Sequence, residues 1–310
     1  SVNSMLVAKG EEPIGIDDIS LDDSETYRLL RKAETTAIFQ LESEGMKDLI
    51  RRLRPDSIDD IIALVALFRP GPLQSGAVDD YIDRKHGKSN ISYPHPGLED
   101  VLKNTYGVML YQEHVMGVAQ VLAGFTLGQA DLLRRAMGKK KPEEMAEVRE
   151  QFIEGSTANG VKLEIASAIF DQMEKFAGYA FPKAHSTTYG IITFQTAWLK
   201  THYPAEFLAA NLSSEMDNTD RVVTLLACAR NMGIEILSPD VNTSFAEFRA
   251  INDGCIAYGL AAIKNLGAKA SAAIANYRQS NENFKTIFDI TKIGANVINR
   301  KGLESLIWAG

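Results

Sequence analysis

Five cations fall within eight positions of one another: Arg134, Arg135, Lys139, Lys140 and Lys141, in the run Leu132-Leu133-Arg134-Arg135-Ala136-Met137-Gly138-Lys139-Lys140-Lys141-Pro142. The 310-residue chain carries a formal net charge of −7, so this cluster works against the global charge. A polyanion is the natural ligand: a triphosphate, a nucleic-acid backbone, or both. A guanidinium grips a phosphate through two parallel N–H donors, and lysines add mobile point charge beside it. The plainer alternative is a solvated helix end whose lysines face the C-terminal dipole. Against it stand the paired arginines and Gly138, which is expected to end the helix before the lysines.

Three other groups bear on the same chemistry. Phe181-Pro182-Lys183-Ala184-His185-Ser186-Thr187-Thr188-Tyr189 puts Lys, His, Ser and two Thr around a helix start. Free N–H groups at such a start favour an anion, and these side chains add donors. Simple N-capping by Ser186 or Thr187, with His185 an incidental surface residue, explains the run equally well. Arg69 sits in the proline-stiffened Leu67-Phe68-Arg69-Pro70-Gly71-Pro72, where a structural role, pairing with nearby carbonyls, is the usual one. Ile263-Lys264-Asn265-Leu266-Gly267, followed by Lys269, reads as the turn of a helix-hairpin-helix. Such a turn offers backbone N–H groups to a DNA phosphate without reading sequence, although short helices joined by a Gly turn are common.

Other chemistries lack their signatures. No DxD-type acidic pair in a strand context stands ready to hold two metal ions. Asp17-Asp18, Asp22-Asp23, Asp59-Asp60 and Asp79-Asp80 are adjacent pairs, read as caps and solvated faces because neighbours at i and i+1 diverge. P-loop, nucleophile-elbow and zinc-protease motifs are absent from the sequence. Cys228 and Cys255 form no CxxC pair, which fits a reducing cytoplasm. No apolar run approaches the roughly 20 residues needed to span a bilayer, so no membrane partner is expected.

The elements that must position these residues are mainly α-helical. Apolar periodicity predicts helices from Asp22 or Asp23 to about Ala33 and from Leu41 to Leu53, the latter ended by Pro55. Ser57 caps a helix that is apolar nearly all round and stops at a rigid turn, Arg69-Pro70-Gly71-Pro72. Further helices are expected over 112–123, 128–137, 143–158, 162–177, 187–201, 204–215 and 219–232. The pattern then changes. Ile234–Leu237, Glu247–Ile251 and Cys255–Tyr258 read as short strands, with Asn252-Asp253-Gly254 turning between the last two. Ala261–Tyr277 reads helix, tight turn, helix, and a second helical pair runs from Ile287 to Trp308. The domains expected are 1–232, all-α with a flexible segment over 1–11, and 233–310, a short β segment plus the helix-hairpin-helix region.

Several of these stretches closely resemble the family C replicative DNA polymerases of bacteria, the DNA polymerase III alpha subunits. They are Phe39-Gln40-Leu41-Glu42-Ser43, Ala66 through Gly76, Asp83-Arg84-Lys85-His86-Gly87, Tyr106 through Glu113, Leu133 through Met145, and Tyr203-Pro204-Ala205-Glu206-Phe207. The resemblance implies an internal fragment of a polymerase: helical fingers followed by a tandem helix-hairpin-helix region that grips duplex DNA. The palm domain, with the aspartates that hold Mg2+, is expected to lie upstream and the clamp-binding motif and OB domain downstream. The fragment alone is therefore expected to bind no metal and to show no polymerase activity.

The resemblance also implies roles. Arg134 and Arg135 match the fingers arginines that face the incoming dNTP's triphosphate. Lys183 and His185 match positions beside the nascent base pair, and Arg69 is expected to brace the pocket. Lys139, Lys140, Lys141, Lys264, Asn265, Gly267 and Lys269 are the expected contacts to primer-template DNA. Implied partners are the remaining alpha-subunit domains, the sliding clamp and the proofreading exonuclease subunit. Two positions depart from the family pattern. Pro182 replaces the usual Asn, removing an amide and a backbone donor. Asn265 stands where Gly is frequent, and Asn tolerates the left-handed conformation better than most residues. A non-catalytic duplex-binding scaffold is the alternative.

Overall fold

The computed structural model describes residues 2–139, 142–177, 180–280 and 283–310. The chain packs as two bodies. One comprises Leu21–Glu34 and Gln40–Phe194; the other comprises the chain up to Ser20, Thr35–Phe39 and Gln195–Gly310. Helix α1 (Val2–Ala8) belongs to the second body, and Leu6 on it is buried.

The first body is all helix: α2 (Ser24–Arg31), α3 (Glu44–Leu53), α4 (Ile58–Leu67), α5 (Pro70–Ser75), α6 (Ala77–Lys85), α7 (Glu99–Leu102), α8 (Gln112–Ala123), α9 (Leu127–Lys139), α10 (Pro142–Ala158), α11 (Leu163–Ala177), and α12 (Lys183–His202) as far as Phe194. The starts are chemically marked. Asp23 accepts from the Thr26 N–H at 2.8 Å, and the Ser43 and Ser57 hydroxyls accept from the third residues of α3 and α4. Helices α8 to α11 enclose one apolar core that includes Leu122, Leu133, Phe152, Phe170 and Met173. At Gly155, α10 approaches α8 so closely that a Cβ would lie 2.3 Å from the Ala123 carbonyl oxygen. At Gly190, α12 meets α4: a Cβ there would lie 2.8 Å from Ile62 Cγ1.

Asp60 corrects one expectation. It lies on α4 but is 1% exposed rather than solvated. Lys85 of α6 places Nζ 2.8 Å from both Asp60 and Asp56, and the Tyr81 hydroxyl donates to Asp60 at 3.4 Å. Burial pushes the Asp60 carboxyl up. Burial also opposes charge on Lys85, but hydrogen bonds to Asp56 and Asp60 outweigh it and raise its pKa. Adjacent acids do diverge, and here one of them diverges inward.

The second body holds α1, the remainder of α12, α13 (Pro204–Ser214), α14 (Thr219–Asn231), β1 (Glu235–Leu237), β2 (Arg249–Asn252), β3 (Cys255–Ala257), α15 (Gly267–Ser280), α16 (Ile287–Thr291) and α17 (Arg300–Ala309). The sheet order is β1-β3-β2. β3 pairs parallel with β1 and antiparallel with β2, where the register shifts between Ala250 and Asn252. The three strands fall within two residues of their expected bounds, and β2 runs on into Asn252 of the expected turn. α15 to α17 and the 3-10 turn Leu260–Ala262 bury Leu260, Ile274, Ile290 and Leu306 together. Among the described residues no helix is long and apolar enough to cross a membrane.

Four local readings change. Helix α9 continues through Gly138, so Gly138 does not stop it. The rigid turn at Pro70 is the first turn of α5, with Pro70 at a position whose N–H needs no partner. The helix expected from Ala261 is a single 3-10 turn. Residues 2–8 of the expected flexible segment form α1, and Lys9 after it pairs with Glu206 and Asp253. The pattern does change from helix to strand near 232, while packing divides the chain inside α12, between Phe194 and Gln195.

Candidate nucleotide and nucleic-acid contacts

In the first body, the start of α8 is the hub. Gln112 and Glu113 open this helix. His114 pins its N-terminus: Nδ1 accepts from the N–H groups of Leu110 at 3.0 Å and Tyr111 at 3.3 Å. Burial, helped by the charge of Lys183, lowers the His114 pKa to about 3. The ring is therefore neutral, with its proton on Nε2.

The arginine pair sits on α9 beside this hub. The Arg134 Nε and Nη2 donate to Asp131 Oδ1 at 2.9 and 2.8 Å, and Nη1 donates to Gln112 Oε1 at 3.1 Å. Arg135 Nε lies 2.8 Å from the other Asp131 oxygen. The Arg134 hydrogen bond, then the two guanidinium charges, hold the Asp131 carboxyl below its usual range. Two guanidinium groups share one carboxylate, so a positive charge is left over for an anion. Arg134 is 30% exposed and Arg135 61%, which gives an anion access to both.

The α12 side joins the same hub. The Phe181 carbonyl accepts from the Gln112 N–H at 2.9 Å, and the Ala180 carbonyl accepts from Gln112 Nε2 at 3.2 Å. The Lys183 N–H, the first of α12, donates to Glu113 at 2.8 Å. The helix thus begins at Lys183, and Ser186, expected as its cap, is buried within it, its N–H bonded to the Pro182 carbonyl at 3.1 Å. The Arg69 guanidinium stacks on Phe181 at 3.7 Å. The Phe181 and His185 rings meet edge-on at 5.2 Å, and His185 and Tyr189 lie 4.1 Å apart. Together these four side chains line a cleft of about 420 Å³. Glu42 also lines this space, so one guanidinium, one carboxylate and several aromatic faces surround it, which suits a flat ring that can stack.

In the second body, the hairpin turn exposes Lys264, Asn265, Gly267 and Lys269, while Ile263 and Leu266 are buried beneath them. Asn265 adopts φ of 65° and Gly267 φ of 67°. Asn265 therefore takes the left-handed conformation that a Gly would take at no cost. Its Nδ2 also donates to the Ser305 hydroxyl of α17 at 3.2 Å. The first residues of α15 are exposed, and the first N–H groups of a helix have no partner within it.

The comparisons with known proteins bear on both surfaces. Residues 2–160 match the model of the bacterial DNA polymerase III alpha subunit finger domain. Residues 233–310 match that of a helix-hairpin-helix motif. The chain belongs to the bacterial DNA polymerase III alpha subunit family. It is similar to the DNA polymerase III subunit alpha of Pseudomonas aeruginosa, 58% identical over 315 residues, with 100% of this chain and 27% of that protein covered. The Vibrio cholerae and Escherichia coli K12 alpha subunits are 54% and 53% identical, with the same coverage. The chain thus spans 27% of the length of these family members.

The family-implied nucleotide residues Arg69, Arg134, Arg135, Lys183 and His185 all lie in the first body. Arg69 and His185 share the Phe181 cleft, and Arg134 reaches Phe181 through Gln112 with Arg135 beside it on Asp131, while the Lys183 side chain lines a separate space with Asp59, Tyr111 and His114. Lys140, Lys141 and the Lys139 side chain lie outside the described residues. Sequence reasoning passed over Gln112, Glu113, Asp131 and Phe181 as site residues. Asp131 was findable, because it stands three and four positions before Arg134 and Arg135 on one helix face. Gln112 and Phe181 were not, because their partners are distant in sequence.

Proposed function

We propose that this chain is the fingers and duplex-binding part of a replicative DNA polymerase that copies a template from dNTPs. The parent reaction is attack of a primer 3′-hydroxyl on the dNTP α-phosphate, releasing pyrophosphate. Arg134 and Arg135 offset charge on the β- and γ-phosphates as pyrophosphate leaves. Lys183 and His185 flank the nascent base pair, and Arg69 braces them through Phe181. Lys264, Asn265, Gly267 and Lys269 hold the duplex backbone, with Lys139, Lys140 and Lys141 adding charge. The observation that carries this reading is the hydrogen-bonded link from Arg134 through Gln112 to Phe181, which ties the arginine pair to the Arg69–His185 cleft.

Mg2+ belongs, on this reading, to the aspartates of a palm domain. Among the described residues no group of three His, Cys, Asp or Glu could hold a metal ion. The residues of this chain act on the nucleotide through their own donors, and the chain alone is expected to be inactive. Its partners are primer-template DNA, the incoming dNTP, the other alpha-subunit domains, the sliding clamp and the proofreading exonuclease, in the cytoplasm.

Steady-state incorporation of one nucleotide by the full-length alpha subunit carrying Arg134→Ala tests this. A raised apparent dNTP KM or a lowered kcat supports it. Unchanged kinetics in a folded variant would leave only the duplex-binding scaffold.

A further inference from the structure

We infer that Gln112 is a positioning residue for the nucleotide site, locking the Arg134 guanidinium to the Ala180–Phe181 segment so that the phosphate-facing and base-facing groups are held as one unit. The inference rests on the nucleotide reading above. It concerns an uncharged side chain that lies within one of the matching stretches but was given no role of its own.

Asp131 orients Arg134 only within α9, since both residues lie on that helix. Gln112 makes the connection outward. Its Oε1 accepts from Arg134 Nη1 at 3.1 Å, and its Nε2 donates to the Ala180 carbonyl at 3.2 Å. The amide can face only one way, because a guanidinium only donates and a carbonyl only accepts. Both ends are therefore used, and a carboxylate could serve one end only. The Gln112 backbone is itself fixed: its N–H donates to the Phe181 carbonyl at 2.9 Å, and neutral His114 holds the turn before it. Phe181 passes this order on, to Arg69 at 3.7 Å and to His185 at 5.2 Å. Small misplacements of such groups cost rate steeply, because the site must meet a reacting phosphate in a fixed geometry.

A double-mutant cycle in the full-length alpha subunit tests this, read as the apparent dNTP KM and kcat for one nucleotide on a primer-template. Gln112→Met keeps the length and removes both polar ends. It is expected to raise the KM about tenfold, as for loss of a hydrogen bond to a charged group. Primer-template affinity and melting temperature should stay near those of the parent. The Gln112→Met/Arg134→Ala double variant should be no worse than Arg134→Ala alone, since the two residues then act through one another. Gln112→Asn, shorter by one methylene, should raise the KM in the same way and serves if Met disturbs the fold. An unchanged KM in the Gln112 variants, or penalties that simply multiply in the double variant, overturns the coupling and leaves the nucleotide reading intact. Unchanged KM and kcat in Arg134→Ala instead remove the nucleotide reading, and the inference falls with it.

Discussion

The Arg69 guanidinium lies 3.7 Å from the centroid of the Phe181 ring, and Phe181 in turn meets His185 edge-on. A residue in a proline-stiffened turn, whose usual role would be pairing with nearby carbonyls, packs here on an aromatic face. The flat guanidinium matters in that arrangement as much as the charge.

Arg69→Lys should therefore fail to substitute. An ammonium keeps the charge but loses the planar stack, and stacked sites treat the two residues differently. The apparent dNTP KM of the full-length Arg69→Lys variant should rise severalfold, closer to Arg69→Ala than to the parent. A KM equal to the parent's would show that charge alone suffices.

Gly190 sets how closely α12 approaches α4. Gly→Ala inside a helix normally gains about 1 kcal/mol from propensity. Here the added Cβ would lie 2.8 Å from Ile62 Cγ1 and 3.2 Å from its Cα. Overpacking of that kind costs about 1–3 kcal/mol, so the net sign should be destabilising, and Gly190→Val should be worse. Urea unfolding of the chain reads this directly. A stabilised Gly190→Ala would mean that α12 can move away from Ile62 freely.

His114 should make the fold acid-sensitive. Its folded pKa of about 3 lies below the ordinary 6.5, so the unfolded chain takes up a proton that the folded chain refuses. Its contribution is fully present above about pH 6.5 and declines as pH falls toward 3. Between pH 7 and 5 the linked loss is about 2 kcal/mol. Asp60, whose carboxyl is pushed up, acts in the opposite sense: its raised pKa favours the folded state as pH falls. The comparison must therefore be with His114→Asn, which lacks the titration and leaves Asp60 in place. Urea unfolding at the two pH values should show a smaller loss for His114→Asn than for the parent.

Lys9 fastens the end of α1 to Glu206 at the start of α13 and to Asp253 in the β2–β3 turn. The Glu206 side chain is only 2% exposed. Lys9→Met strands that carboxylate and should destabilise by about 3 kcal/mol. Adding Glu206→Gln removes the stranded charge and should recover much of the loss. Thermal melts of the single and double variants decide it. Equal melting temperatures for parent and Lys9→Met would mean that the pair contributes nothing.

Much of the fold was legible because its signals are local. Asp23 and Ser57 mark helix starts by side-chain chemistry, while the helix expected from Leu41 begins only at Glu44, capped by Ser43; the change of residue pattern after Gly233 marks all three strands. The failures are also physical. Gly138 weakens a helix without ending one, and α9 runs on through it. Asp60 looked solvated because its partner, Lys85, lies 25 residues away and shows only once the helices pack. The same holds at the site. Arg134 and Arg135 stand out by charge against an acidic chain. Gln112 and Phe181 do not, since their importance lies in contacts to each other across some 70 residues. The Asn265 turn was legible for a different reason: few residues accept its φ of 65°, and Asn is among them.

The most direct measurement separates the two proposed surfaces in one full-length alpha subunit. Apparent dNTP KM and kcat, and primer-template Kd across a salt series, would be measured for Arg134→Ala and for Lys264→Ala/Lys269→Ala. Arg134→Ala should raise the dNTP KM or lower kcat and leave DNA affinity unchanged. The lysine variant should weaken DNA binding and flatten its salt dependence by about two phosphate contacts, with the dNTP KM unchanged. A dNTP KM and kcat both indifferent to Arg134, or DNA binding that is indifferent to both lysines, would contradict the assignment of triphosphate to one surface and duplex to the other.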